Sequence, residues 1–384
     1  MKCNGLDEYP LSYYCIVIGG GTPKTSVPEY WGGNIPWISI KDIVESNNII
    51  ENTEKTITEE GLNNSSTKIL DKGDIIISAR GTVGKIALIS KPMAFNQSCF
   101  GIKVNRNVDP VFFYYVLVNS ISTIKKNTQG SVFDTITAKT FDSIRIAMPT
   151  FEVQRRIGSF LSSIDSQINA NMRINDYLSQ ISNLLFSRIY TESELHNALL
   201  SDLAVITMGQ SPPGDTYNEC GNGTLFYQGR AEFGEYCPSP RLYTTNPKRM
   251  ARVGDILLSV RAPVGDINLA GEDCCIGRGL ASIRSMNGHQ AFIHYLIESL
   301  NESFDVFNGD GTVFGSINKD SLNNLTVEIP NTDVIRSFDD VASTIDKIIK
   351  TNCDVNKSLT KIREYLLPRL MSGEINLSNL DLGS

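Results

Sequence analysis

Two arginines stand at the mouths of matching loops. Arg80 opens the string RGTVG and Arg261 opens RAPVG, each just after an apolar run, DIIIS and DILLS. A guanidinium at a strand end offers a planar fork of donors that suits a phosphate or the major-groove edge of guanine. Glycine and alanine beside it allow close approach of a second backbone. Thr82 and Lys85 complete the first loop. The competing reading is an arginine that caps its own domain through an ion pair. The stretch LFYQGRAEF (225–233) adds Tyr227, Gln228 and Arg230, and IPWISIKDI (35–43) adds Trp37, Ser39 and Lys41. Glutamine reads adenine, and Lys or Arg holds phosphate. The aromatic rings either stack on bases or fill a core. The turns TPK (22–24) and GQSPP (209–213) bring in Thr22, Lys24 and Gln210. Lys24, Lys85, Lys125, Lys126, Arg230, Arg241, Lys248, Arg249 and Arg278 are candidates for positive rims. The chemistry these residue types support is recognition of nucleic acid.

Catalytic patterns are missing. No Gly-x-x-x-x-Gly-Lys-Ser/Thr phosphate loop occurs, and the run IGGGTPK (18–24), with Pro23 and Pro28, reads as a turn. There is no Gly-x-Ser-x-Gly nucleophile elbow, and Asn246-Pro247-Lys248 lacks the second proline and the aromatic of an adenine-methyltransferase motif. Three histidines and eight cysteines, none in a C-x-x-C, leave little for a metal site and suggest reduced thiols in a cytoplasmic protein. Asp74 and Asp255 follow glycine as turn residues. The expectation is a chain with no catalytic residue, metal or cofactor of its own.

The scaffold that must position these loops is a repeat. Residues 71–89 and 252–270 share nine identities in nineteen positions at a constant offset of 181. The same offset aligns GSVFDTI (130–136) with GTVFGSI (311–317), Pro149 with Pro330, Ile164-Asp165 with Ile345-Asp346 and Arg188 with Arg369. Upstream, TPK faces SPP at offset 189 and IPWISIKDI faces LFYQGRAEF at offset 190. Each copy begins with short β-branched strands and turns, carries an apolar helical segment (111–121 and 290–300), and ends in a long helix after Pro149 or Pro330. Steps of three then four give seams Ile157, Phe160, Ile164, Gln167, Asn171, Ile174, Leu178, Ile181, Leu185, Arg188 and Phe338, Val341, Ile345, Ile348, Asn352, Val355, Leu359, Ile362, Leu366, Arg369. That spacing predicts two helices, each roughly 50–60 Å long, pairing as an antiparallel coiled coil. Asn171 and Asn352 are candidate register residues.

The reading is an α+β chain of two tandem β-rich recognition domains with a pseudo-twofold relation: domain 1 over 1–149, a spacer helix over 150–190, domain 2 over 191–330, and a C-terminal spacer helix and tail over 331–384. Net charge is −7, and residues 191–331 hold 9 Lys and Arg against 17 Asp and Glu, which disfavours nonspecific nucleic-acid binding. No apolar run is long enough for a membrane span.

GGGTPKTSVPEYWGGNIPWISIKDI, the pair KGDIIISARGTVGKIAL and VGDILLSVRAPVGDINL, and MPTFEVQRRIGSFLSSIDSQI resemble the DNA-specificity subunit of Type I restriction–modification systems. The resemblance spans nearly the whole chain and both repeats. It implies that each domain reads one half of a bipartite double-stranded DNA target. It also implies two partner methyltransferase subunits that use S-adenosylmethionine on adenine, and restriction subunits that use ATP and Mg. An N-terminal helix carried by some members is expected to be absent, since about ten residues precede the first repeat match. The alternatives from other classes are a self-contained DNA-acting enzyme such as a nuclease, and a coiled-coil scaffold that binds no DNA.

Overall fold

A computed structural model describes residues 7–46, 48–128, 135–234, 236–308 and 315–375. Most of the repeated string GSVFDTI/GTVFGSI lies outside them, as does the side chain of Lys126. The chain divides into two compact units, Met1–Ala170 with Asn356–Ser384, and Asn171–Val355. The fold is α+β in both.

In the first unit a mostly antiparallel five-stranded sheet runs in the order Cys15–Gly19, Cys99–Val104, Ile75–Ser78, Ile86–Ile89, Ile49–Ile50. A four-stranded sheet follows the order Lys55–Ile57, Trp31–Ile38, Met93–Phe95, Ile69–Leu70. The second unit repeats the plan. Ala204–Met208, Leu280–Ser285, Ile256–Ser259 and Ile267–Leu269 form one sheet, and Thr224–Tyr227 pairs in parallel with Cys274–Ile276 in the other. Ile75–Ser78 and Cys99–Val104 are each 181 residues before their counterparts, so the sequence repeat is a structural duplication. Ile75–Ser78 and Ile256–Ser259 are buried throughout, which is why they read as unbroken apolar runs.

The upstream alignment needs one correction. Trp37 lies beside Ala94 and Ile38 beside Phe95, while Phe226 lies beside Cys275 and Tyr227 beside Ile276. The offset there is therefore 189, the same as in the preceding turn. Trp37 matches Phe226, Ser39 matches Gln228, and Lys41 matches Arg230.

Four helices carry the packing of the two units: α1 (Pro110–Thr128), α2 (Phe151–Glu192), α3 (Gln290–Ser299) and α4 (Thr332–Met371). Asp109 accepts the Phe112 N–H at 2.8 Å and so caps α1, while Asp339, from α4, accepts the Phe292 N–H at 2.9 Å at the start of α3. Buried Gln154 accepts the Asp109 N–H and donates to the Pro149 carbonyl, both at 2.9 Å, which ties the starts of α1 and α2.

In each unit the segments of α2 and α4 run antiparallel. In the first, Asp165 meets Arg363 and Ile157 and Leu161 share a core with Leu367 and Leu370. In the second, Asn352 meets Asn175 and Phe186 packs on Phe338. The seam's phase differs from the sequence reading. Buried and half-buried positions step by four then three: Ile157, Leu161, Ile164, Ile168, Asn171, Asn175, Leu178, Ser182 on α2, and Phe338, Ala342, Ile345, Ile349, Asn352, Asn356, Leu359, Arg363 on α4. Every second expected residue is displaced by one. Ile174, Ile181, Val341, Ile348, Val355 and Ile362 are exposed. Asn352 donates from Nδ2 to Asn175 Oδ1 at 2.8 Å, so its partner stands four residues beyond Asn171, itself buried.

Candidate nucleic-acid interface

Each arginine loop is closed by the serine that ends its strand. In the first unit Ser78 donates from Oγ to the Thr82 carbonyl, and its Oγ accepts the Lys85 N–H at 2.9 Å. In the second Ser259 Oγ donates to the Pro263 carbonyl at 2.7 Å. Gly84 and Gly265 take φ of +83° and +107°, a region that favours glycine, and their N–H groups return to the Ser78 and Ser259 carbonyls. Each loop thus closes on itself through its own hydrogen bonds, and Arg80, Thr82, Lys85 and Arg261 are exposed on them.

Backbone hydrogen bonds gather other loops around each arginine loop. In the first unit the Ser98 carbonyl accepts from Ala79 and Arg80, the Asn96 N–H donates to the Ile38 carbonyl, and the Gly21 N–H donates to the Phe95 carbonyl. The Thr22 hydroxyl bonds Gln97 Oε1. In the second, Val260 N–H donates to the Gly279 carbonyl, Gly277 N–H to Tyr227, Gly279 N–H to Gln228, and Gln210 N–H to Ile276. The Arg278 N–H reaches Ser211 Oγ at 3.4 Å. One hub therefore holds Thr22, Ser39, Arg80 and Thr82, and the other holds Gln210, Gln228, Arg261 and Arg278. Gly20 is needed here because an added Cβ would sit 2.1 Å from the Asn96 carbonyl, so the glycine run serves strand contact.

Several expected contacts resolve otherwise. Trp37 is 6% exposed, donates from Nε1 to the Gly21 carbonyl at 3.1 Å and packs edge-on against Trp31. Tyr227 is 2% exposed, and burial pushes its phenol pKa up. Both are core residues and offer no free face for stacking. Ser39 caps the short helix Ile40–Glu45, its Oγ bonded to Asp42 at 2.6 Å. Lys41 pairs with Glu54 at 2.9 Å, Arg230 with Asp266, and Arg241 with Glu232 at 2.7 Å. The Lys41 and Arg230 pairs lie at the surface and cost little to exchange for a phosphate, whereas Glu232 is buried and holds Arg241 to its own domain. Lys248 donates to Asn246 Oδ1 at 3.2 Å, and Lys24, Lys125 and Arg249 are exposed.

Gln97, exposed at the first hub, was missed from sequence. It stands 181 residues before Arg278, so the repeat carried the signal. Burial raises the thiol pKa of Cys15, Cys99 and Cys274 to about 12, so these groups stay protonated and inert. Among the described residues no helix is long and apolar enough to cross a membrane.

The helices present a second surface. Ile174, Tyr177, Ile181 and Leu184 on α2 and Val341, Ile348 and Val355 on α4 are exposed in the second unit, and Ile362 and Tyr365 on α4 in the first. Arg369 lies over the Tyr365 ring, 3.7 Å from its centroid.

Comparison with known proteins agrees with the duplication. The model of the Type I restriction modification DNA specificity domain matches residues 9–180 and again 200–360. The putative type I restriction enzyme MjaX specificity subunit of Methanocaldococcus jannaschii is 27% identical over 338 residues, 79% of each chain. The type I restriction enzyme MjaIX specificity subunit of the same organism is 25% identical over 410 residues, covering 95% of this chain and 92% of the other. The crystal structure of a Type I restriction–modification S subunit from M. genitalium superposes with a TM-score of 0.64 at 15% identity, over 97% of this chain and 98% of that one. That last likeness is one of fold.

Proposed function

The chain belongs to the Type I restriction modification DNA specificity family, and on that premise we propose that its two loop hubs each read one half of a bipartite, asymmetric DNA target for partner subunits. The observation that carries this is the pair of hubs built alike but armed differently. In the repeat Gln97 corresponds to Arg278, Arg80 to Arg261, Ser39 to Gln228, Thr22 to Ser211 and Thr82 to Pro263. A shared frame with different donors suits two unlike half-sites.

Catalysis belongs to the partners in this reading. Two methyltransferase subunits supply S-adenosylmethionine and modify adenine, and restriction subunits use ATP and Mg; this chain holds no cofactor. The exposed apolar residues of α2 and α4 are where the partners sit, since contiguous exposed apolar surface marks contact sites. Partners also supply phosphate contacts, which fits a chain of net charge −7.

The test is a map of N6-methyladenine in cells carrying the methyltransferase subunits with and without this chain. Methylation of a bipartite motif only in its presence supports the proposal. An unchanged map refutes it, and cleavage by the purified chain with DNA and a divalent metal would favour a self-contained nuclease.

A further inference from the structure

One polar contact recurs between a domain's own helix and the long helix beside it. In the first unit Tyr115, on α1, donates to Asp165 Oδ2 on α2 at 2.6 Å. In the second, Tyr295, on α3, donates to Asp346 Oδ1 on α4 at 3.0 Å. Each tyrosine stands five residues beyond the first residue of its helix, one place off the 181-residue offset, and the aspartates keep that offset, so both partners of the bond come from the duplicated module. Both tyrosines are buried. Burial first, and then the neighbouring aspartate, raises each phenol's pKa, so each remains a donor.

The surroundings have diverged. Arg363 closes on Asp165 Oδ1 at 2.5 Å in the first unit. The position 181 residues earlier is Ser182, which is buried and brings no charge. His294 instead places Nδ1 3.8 Å from Asp346 Oδ2, where the first unit has Tyr114. The hydroxyl–carboxylate bond is what both copies keep. It is a polar side-chain link between the sheet-bearing domain and its rod in each unit, and it is directional where the surrounding aromatic contacts are not.

We infer that Tyr115 and Tyr295 are positioning residues for specificity: each latch fixes the pitch of its recognition domain on its helix and so restricts the distance allowed between half-sites. This rests on the DNA-reading function proposed above. Loss of a latch leaves the hubs' base contacts intact and widens the accepted spacing.

The experiment uses the chain assembled with its methyltransferase subunits, on duplexes bearing the mapped target with its native spacer or one base pair more or less. Tyr115→Phe and Tyr295→Phe keep the buried ring. Each is expected to reduce discrimination between native and altered spacers about tenfold, the weight of one charge-assisted hydrogen bond, with base requirements unchanged. Asp346→Asn retains an acceptor for Tyr295 and is expected to preserve the wild-type preference. Phe variants that lower the melting temperature but keep the wild-type spacer ratio, or that weaken methylation equally at every spacer, overturn the inference. So does an Asp346→Asn variant as permissive as Tyr295→Phe. Absence of any bipartite methylation by the wild-type complex is a different result, which sinks the underlying reading itself.

Discussion

Arg363→Met tests the packing of the first unit through its most buried ion pair. Asp165 and Arg363 side chains are 8% and 24% exposed and meet at 2.5 Å. Removing one member of such a pair leaves a desolvated charge and costs about 3–5 kcal/mol. Tyr115 still donates to the stranded carboxylate at 2.6 Å, and the arginine is partly wet, so the lower end applies, about 3 kcal/mol. For a unit of this size each kcal/mol moves the midpoint by about 2–4 °C, a loss of about 6–12 °C. The assay is built into the sequence. The chain has two tryptophans, Trp31 and Trp37, and both belong to the first unit. Tryptophan emission in a urea titration therefore follows that unit, while far-UV circular dichroism follows both. Asp165→Asn combined with Arg363→Met removes the charge and keeps an acceptor for Tyr115, so the double variant should return to within about 1 kcal/mol of wild type. A shift below about 1 kcal/mol for Arg363→Met, or a double variant no better than the single, would falsify the assignment.

Further outcomes follow from the same geometry. Arg80→Ala and Arg261→Ala should each weaken DNA binding by the assembled complex by about 1–3 kcal/mol, with altered base preference at one half-site only; gel-shift titrations against targets mutated in either half report this, and equal effects at both halves count against it. Ile348→Glu should change the chain's own stability by no more than about 0.5 kcal/mol yet prevent co-purification with methyltransferase subunits; an intact complex removes that surface from consideration. Burial holds the Asp339 carboxyl above its ordinary value of 3.8 despite the opposing Phe292 N–H and His289. An acid that binds its proton more tightly when folded stabilises the fold below its unfolded pKa and loses that contribution as pH rises through the folded one. Asp339→Asn keeps an acceptor without the charge, so wild-type stability should fall relative to the variant from about pH 4 upward; parallel urea midpoints across that range would contradict the sign.

How much of this was legible depended on what the signal measures. Buried strands such as DIIIS, and the invariance of the 181-residue offset, report backbone geometry directly, so the duplication and the α+β class were readable from residues alone. The upstream offset slipped by one because IPWISIKDI and LFYQGRAEF share composition and little identity; only strand pairing to Ala94 and Cys275 fixes it. Trp37 and Tyr227 show why site residues are harder. An aromatic in a donor-rich loop has the same one-letter appearance whether its face is free or packed on a second tryptophan. Gln97 lacked a notable motif of its own, yet its counterpart Arg278 marked it.

The phase of the helix seam separates two meanings of a hydrophobic pattern. Ile157, Ile164, Asn171, Leu178 and Leu185 belong to both the three-then-four and the four-then-three readings, so the sequence alone leaves the alternate positions ambiguous by one residue, about 100° of helix. Apolarity favours Ile174, Ile181, Val341, Ile348, Val355 and Ile362, and these are exposed. The chain's own contact instead uses Asn175, Ser182, Ala342, Ile349, Asn356 and Arg363, four of them polar. Polar groups inside a seam specify register at a cost in stability, while each large apolar side chain left in water forgoes about 1.5–3 kcal/mol of burial. A helix pair that must stand alone would be arranged the other way. Apolar periodicity records which face is dry in the assembled state, and under the proposed function the face left wet here is the one a partner subunit covers.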